Sequence, residues 1–165
     1  MKRLFLIVSL ILGSMTSANA GVDESDSSIV SSTEPQPKAI GVKIGWGAEF
    51  SYQQSMEHGF MEVNLGMDHF NSLDFATFYN FILAQPEWTD TGSWCIYAGP
   101  GASVGMKLLE DPHFFHISVA GMMGLEYSFD YPLQLSFDIK PQLGVGFGHG
   151  FYWRMTPSIG IRYRF

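Results

Sequence analysis

From residue 40 onward, apolar and polar positions alternate with a period of two, which is the pattern of β-strands. Between Ile40 and Tyr52 every even position is apolar, and the odd positions hold glycine, charged or small polar residues, so we predict one strand of thirteen residues there. Residues 61–67, 94–107, 115–127, 133–140 and 159–165 repeat the alternation. Leu73 to Leu83 is apolar on both faces, so its facing stays open.

These seven runs predict a barrel of eight strands. Single-chain bacterial barrels have an even number of strands, and the 126 residues from Ile40 to Phe165 suit eight. The alternation stays in phase from Leu133 to Phe165, so the pattern does not locate the remaining strand. We expect it within residues 141–156, where a glycine-rich stretch suits a turn.

Strand length and facing favour a closed antiparallel transmembrane β-barrel (an all-β fold) over a soluble sandwich or a lipocalin-like barrel. Soluble strands usually have about 5–6 residues, whereas a tilted strand that crosses a bilayer needs about 9–11. The bulky face of the runs is nearly free of charge, and glycines share the other face with charges of both signs. We therefore expect the apolar face to meet lipid, and a sheet in lipid must be closed.

The charged residues of the polar face are predicted to form a network in the lumen. They are Lys43, Glu49, Glu62, Asp68, Lys107, Glu126, Asp138, Lys140, Arg154, Arg162 and Arg164. The interior of an eight-stranded barrel is just wide enough for side chains to fill, and each buried charge needs a partner. We expect a salt-bridged plug, with a narrow path for ions or solutes as the alternative.

The first 39 residues differ from the rest in composition. Residues 1–20 combine a basic start, a short apolar run and a final Ala18-Asn19-Ala20, which is the pattern of a secretory signal peptide cleaved after Ala20. Residues 21–39 are acidic and rich in serine and proline, which predicts a disordered periplasmic tail before a barrel of residues 40–165. Cleavage leaves 7 basic and 16 acidic residues, a net charge of −9.

Composition excludes several classes of function. The formal net charge of −7 leaves no excess of basic residues for phosphates, so a nucleic-acid partner is not expected. The single cysteine, Cys95, cannot form an internal disulfide or a four-cysteine zinc site. No histidines have a metal-ligand spacing, since His113 and His116 on one strand would point to opposite faces. We predict neither a metal nor another cofactor.

The last seven residues, Ile159 to Phe165, resemble the terminal strand of Gram-negative outer-membrane barrels. Residues 124–141 are similar to a hairpin of small members of that class, and residues 40–165 resemble the OmpX/OmpW-like small barrels. The resemblance implies a place in the cell outer membrane, contact with membrane lipid and lipopolysaccharide, and recognition of Tyr163 and Phe165 by the outer-membrane assembly machinery. We expect a monomer. The class includes adhesins, solute channels and lipid A enzymes, so the resemblance does not fix an activity.

Aromatic residues gather near the ends of the predicted strands. They are Trp46, Tyr52, Phe60, Phe70, Trp94, Tyr127, Trp153 and Tyr163. Amphipathic rings favour the boundary between hydrocarbon and headgroups, so we expect most of these residues to form girdles at the two membrane interfaces. A ligand-binding aromatic cluster is the alternative.

His116 and Ser118 are the one pair considered for catalysis, because residues two apart on a strand share a face. They weakly resemble the His-x-Ser stretch of outer-membrane lipid A 3-O-deacylases, although Val119 stands where that family has asparagine. The imidazole needs a third group to orient it. Glu126 is about 33 Å away along an extended strand, so we expect an inert pair in the lumen.

These features predict a non-enzymatic outer-membrane barrel with a structural, envelope-integrity or surface-contact role. The expected contact surface is the Gln85–Gly92 loop with Trp88. A lipid A-modifying enzyme of the deacylase kind and a narrow channel or carrier of small apolar ligands are the alternatives.

If the faces are assigned correctly, Ile44→Arg should cost about 2–4 kcal/mol in lipid, and Ser51→Arg on the opposite face should cost far less.

Overall fold

A computed structural model describes residues 37–68, 72–107, 115–147 and 150–165. These residues form eight strands: β1 (Lys38–Gly45), β2 (Gly47–Met56), β3 (Gly59–Asp68), β4 (Ser72–Ala84), β5 (Ser93–Lys107), β6 (Phe115–Ser128), β7 (Leu133–Gly146) and β8 (Gly150–Arg164). Each strand pairs antiparallel with its neighbours in sequence, and β1 pairs with β8. The sheet is therefore a closed antiparallel barrel, which confirms the predicted all-β barrel architecture and the strand number. Within the described ranges, no helix is long and apolar enough to cross a membrane.

The additional strand lies at the start of the barrel, and its predicted position was wrong. Residues 40–52 do not form one strand, because the chain turns at Trp46 and Ile44 pairs with Ala48. Residues 141–156 contain the end of β7 and the beginning of β8, which meet at the pair Gly146–Gly150.

The length of the connecting turn explains both errors. Directly opposite residues of an antiparallel pair point to the same face. Three residues separate the paired Ile44 and Ala48, so both partners are even-numbered and the alternation runs through the turn unchanged. The Gly146–Gly150 connection has the same length and the same effect. A two-residue turn, as between Met56 and Gly59, moves the apolar face from even to odd positions and is visible in the sequence.

Side chains alternate between an exposed apolar outer face and a buried interior that is mostly polar. β4, whose facing the sequence left open, follows the same rule. Asp74, Phe78 and Asn80 are buried in the lumen, whereas Leu73 and Phe81 are exposed on the outside.

The two rims of the barrel differ in shape. The start of β1, the end of β8 and the β2–β3, β4–β5 and β6–β7 connections lie at one end, which we call the terminal end. The opposite rim is uneven. The last pair between β1 and β8 is Gly45–Ser158, and β8 extends eight residues beyond that level to Gly150.

Some sequence predictions concern residues outside the described ranges and stay predictions. They are the signal peptide at 1–20, the tail as far as residue 36, Phe70, His69, His113, His149 and the side chain of Asp68. The described part of the chain enters β1 at Lys38, two residues before the expected start of the barrel.

Candidate functional site

The half of the lumen nearer the terminal end holds five buried charged side chains, which we call the central network. They are Lys43, Glu62, Glu126, Asp138 and Arg162, from β1, β3, β6, β7 and β8. Lys43 Nζ pairs with the Glu62 carboxylate and lies 2.8 Å from Asp138 Oδ2. Only β2 lies between β1 and β3, and only β8 lies between β1 and β7, so each ion pair reaches over one intervening strand and ties together strands that are not paired directly.

Arg162 connects the second half of the central network. Its guanidinium donates hydrogen bonds to Glu62 at 2.8 Å and to Ser51 and Ser136 at 3.1 Å each. It also lies 3.5 Å from Glu126. Glu62 is therefore shared by both cations of the network, and the shared pairing compensates charges that would be costly to bury alone.

Beside the central network lies an apolar patch that the sequence analysis missed. Phe60, Phe78, Tyr97 and Met122 are buried there. Phe60 packs edge to face on Tyr97 with 4.8 Å between ring centroids, and the Tyr97 hydroxyl donates to Asp138. The prediction that Phe60 belongs to an interface girdle was wrong, because even positions of β3 point inward. Tyr97 and Met122 lie on faces that the sequence analysis assigned to small and polar residues.

Inward glycines accommodate these large side chains. Tyr97 pairs with Gly124, and Phe78 pairs with Gly101 on the neighbouring strand. A Cβ atom on Gly124 would lie 2.5 Å from Asp138 Oδ1 and 2.6 Å from the Tyr97 ring, and one on Gly101 would lie 2.3 Å from the Phe78 ring. Once the register is known, the apolar patch can therefore be located from the large residues that lie opposite inward glycines.

We expect Gly124→Ala to lower the free energy of unfolding by about 1–3 kcal/mol, because the added methyl group overpacks a filled lumen. Denaturant titration followed by tryptophan fluorescence measures the change. Gly121→Ala on the same strand is the matched control, since a Cβ there would have its nearest neighbours at 3.5 and 3.8 Å. Equal stability of the two variants would contradict the packing of Tyr97 against Gly124.

A second polar cluster lies nearer the opposite end of the lumen. His116 Nε2 is 2.8 Å from Asp74 Oδ1, and Arg154 donates to the same oxygen at 3.2 Å. Arg154 also donates through Nε to Gln142 Oε1 at 2.9 Å. Asp74 was missed because the facing of β4 was open. The pairing of Gly105 with both Asp74 and His116 places the two residues one strand apart.

Asp74 gives His116 the orienting acid that the sequence analysis did not find, but Ser118 bonds elsewhere. The Ser118 hydroxyl lies 2.5 Å from that of Ser103 on β5, and both serines are buried in the lumen. A nucleophilic serine needs an adjacent general base to activate it. The hydrogen bond to Ser103 and the burial of the pair favour a packing role for Ser118.

The other predicted lumen charges lie on either side of the central network. Lys140 pairs with Glu49. Arg164 donates to two backbone carbonyls of the β6–β7 connection, at 2.5 and 3.3 Å. Lys107 is half-buried at the last position of β5. These side chains bracket the central network along the barrel axis.

Outward aromatic rings gather at the terminal end. Trp94 packs against Tyr127 with 4.7 Å between centroids and against Trp88 with 5.4 Å. Tyr163 lies near the same end of β8, and Trp153 precedes it by ten residues on the outer face. At about 3.3 Å per residue and a strand tilt of about 40°, these two rings lie about 25 Å apart along the barrel axis.

Of the other predicted girdle residues, Trp46 departs from this arrangement and Tyr52 follows it. Trp46 lies in the β1–β2 connection next to the pair Gly45–Ser158, and it is therefore closer to the terminal end than Trp153. Tyr52 pairs with Ile40, the third residue of β1, and Tyr163 pairs with the same residue from the other side, so Tyr52 lies near the terminal end with Tyr163. The uneven rim accounts for Trp46, because the β1–β2 hairpin is shorter than the β7–β8 hairpin.

The Gln85–Gly92 loop lies at the terminal end, where the chain enters β1. It is joined to the β6–β7 connection, since the Gly92 N–H donates to Asp130 at 2.9 Å and the Tyr127 hydroxyl donates to the Thr91 carbonyl at 2.7 Å. If the N-terminal tail is periplasmic, the Gln85–Gly92 loop must therefore be periplasmic as well. The two expectations, a periplasmic tail and a cell-surface contact through this loop, are incompatible.

Similarity to other proteins does not assign a function to the lumen. Comparison with known protein families, curated proteins and solved structures finds no match. In the part of the chain that the structure describes, no three His, Cys, Asp or Glu side chains are grouped to hold a metal ion. Cys95 is a free, half-buried thiol.

Proposed function

We propose that this chain is a small outer-membrane β-barrel with a closed lumen and a structural role in the cell envelope. The observation that carries the proposal is the inverted arrangement of side chains. Lys43 and Glu62 are completely buried inside, whereas Val119 and Phe151 are 72% and 69% exposed outside. A continuous apolar surface of this kind is unfavourable in water, and it matches the lipid-facing band of a membrane barrel.

The terminal strand supports the same proposal. The Phe165 N–H donates to the Lys38 carbonyl at 2.9 Å, so the last residue of the chain takes part in the seam that closes the barrel. The strand that resembles an outer-membrane assembly signal is therefore also the strand that completes the barrel. We propose an OmpX/OmpW-like location, with membrane lipid, lipopolysaccharide and the assembly machinery as partners.

Planar bilayers containing the purified barrel are expected to show no conductance steps, because the central network and the apolar patch fill the lumen. Gel electrophoresis of the same preparation, reconstituted in vesicles, checks that the barrel is folded and inserted, because a folded barrel migrates differently before and after heating. Reproducible conductance from folded protein would overturn the closed lumen and favour the channel alternative.

The structural role has its own test in the organism that makes the protein. A strain that lacks the chain should take up more of a normally excluded dye, and a plasmid copy should restore exclusion. Unchanged dye uptake and unchanged sensitivity to detergent would contradict a role in envelope integrity, whatever the conductance result.

A further inference from the structure

With all of its acids ionised, the central network contains one more negative charge than positive. Its cations are Lys43 and Arg162, and its anions are Glu62, Glu126 and Asp138. These side chains are 0–7% exposed, so water does little to stabilise the surplus charge. Glu126 is the least neutralised acid, because its ion pair with Arg162 spans 3.5 Å whereas the other pairs are 2.8 Å or shorter.

Two buried glutamine side chains lie beside Glu126. Gln53 directs Nε2 toward Glu126 Oε2 at 3.4 Å, and Gln134 interacts with the same carboxylate. Both glutamines are 4% exposed, and no donor among the described residues meets the Oε1 atom of either. Buried oxygens of this kind are normally hydrogen-bonded or bound to an ion.

These three side chains share one layer of the lumen just inside the terminal end. Glu126 is two residues from the end of β6, Gln53 is three residues from the end of β2, and Gln134 is the second residue of β7. All three point inward. The register pairs Gln53 with Glu62 and Gln134 with Arg162, so this layer also contains two other members of the central network.

We propose that a monovalent cation such as Na⁺ or K⁺ binds among the Glu126 carboxylate and the Oε1 atoms of Gln53 and Gln134. One positive charge balances the central network, and carbonyl oxygens can replace the hydration shell of an alkali ion. A divalent ion would leave the network with a positive surplus, and Ca²⁺ takes six to eight oxygen ligands. Water could donate to the amide oxygens but would leave the negative surplus in place.

The test is thermal unfolding of the full chain in detergent, with NaCl, KCl or choline chloride at equal ionic strength. Choline is a much larger cation than Na⁺ or K⁺ and cannot coordinate oxygens through a bare metal charge, so it controls for general screening. We expect Na⁺ or K⁺ to raise the midpoint by about 5 °C relative to choline, because a ligand that binds only the folded state stabilises it. The relaxation of ²³Na, measured with and without the protein, reports binding directly.

Glu126→Gln should abolish the difference between the salts, because the remaining network has two cations and two anions. Glu57→Gln is the matched control: Glu57 is an exposed acid at the same end and its loss should leave the response intact. Gln134→Met removes one oxygen ligand and should shift the response to higher salt concentrations. This variant tests the cation site if Glu126→Gln fails to fold.

Three results would overturn the cation site. The first is an equal response to choline, and the second is an undiminished Na⁺ or K⁺ response in folded Glu126→Gln or Gln134→Met. The third is stabilisation by acid with no effect of any cation, since a proton would then supply the missing charge. None of these results depends on the bilayer conductance, so this inference and the closed lumen succeed or fail separately.

Discussion

Arg162→Met is expected to lower the free energy of unfolding by about 3–5 kcal/mol, the cost of breaking a buried ion pair by removing one partner. The substitution keeps much of the side-chain volume but leaves the three acids of the central network with Lys43 as their only cation. It also removes the donors to Ser51 and Ser136. Denaturant titration in lipid vesicles, followed by tryptophan fluorescence, measures the loss.

Two further variants separate charge burial from simple loss of a side chain. Lys38→Met removes one positive charge from an exposed site at the terminal end and should change stability by no more than about 0.5 kcal/mol. Combining Arg162→Met with Glu62→Leu removes both members of a 2.8 Å pair and should recover much of the loss. Wild-type stability in Arg162→Met alone would contradict a network held by ion pairs.

The barrel and the facing of most strands are predictable from the sequence because one physical rule governs both. Successive side chains of a strand point to opposite faces, so the choice between Val42 outside and Lys43 inside follows from their positions. This rule does not detect the turn at Trp46, because a three-residue connection preserves the alternation. Strand number was therefore easier to predict than strand position.

The contacts within the lumen are less predictable, because they depend on register between strands distant in sequence. Lys43 and Asp138 meet over the intervening β8, and His116 and Asp74 meet over the intervening β5, although no local pattern links either pair. The contacts of Ser51 within the lumen also reverse one expectation. Ser51→Arg was expected to be cheap, but Ser51 is completely buried and hydrogen-bonded to Arg162, so a second guanidinium there should be strongly destabilising.

Ile159→Arg should lower the free energy of unfolding in lipid by about 2–4 kcal/mol, which is the cost of arginine near the bilayer midplane of a membrane barrel. Ile159 is outward-facing and exposed, and it pairs with Phe137 on one side and Ile44 on the other. It lies between the Trp153 and Tyr163 rings of the same strand. Ile44→Arg on the adjacent strand should behave similarly.

Phe151→Arg is the matched control for depth, since Phe151 faces outward on the same strand but lies one residue from its end at the opposite rim. Its cost should fall to about 0–1 kcal/mol, because a charge near the interface stays hydrated. If the outer face met water, neither arginine would cost more than about 0.5 kcal/mol. Two small and equal losses would therefore contradict the membrane location, whereas a large loss at Ile159 alone requires a hydrocarbon layer centred near that residue.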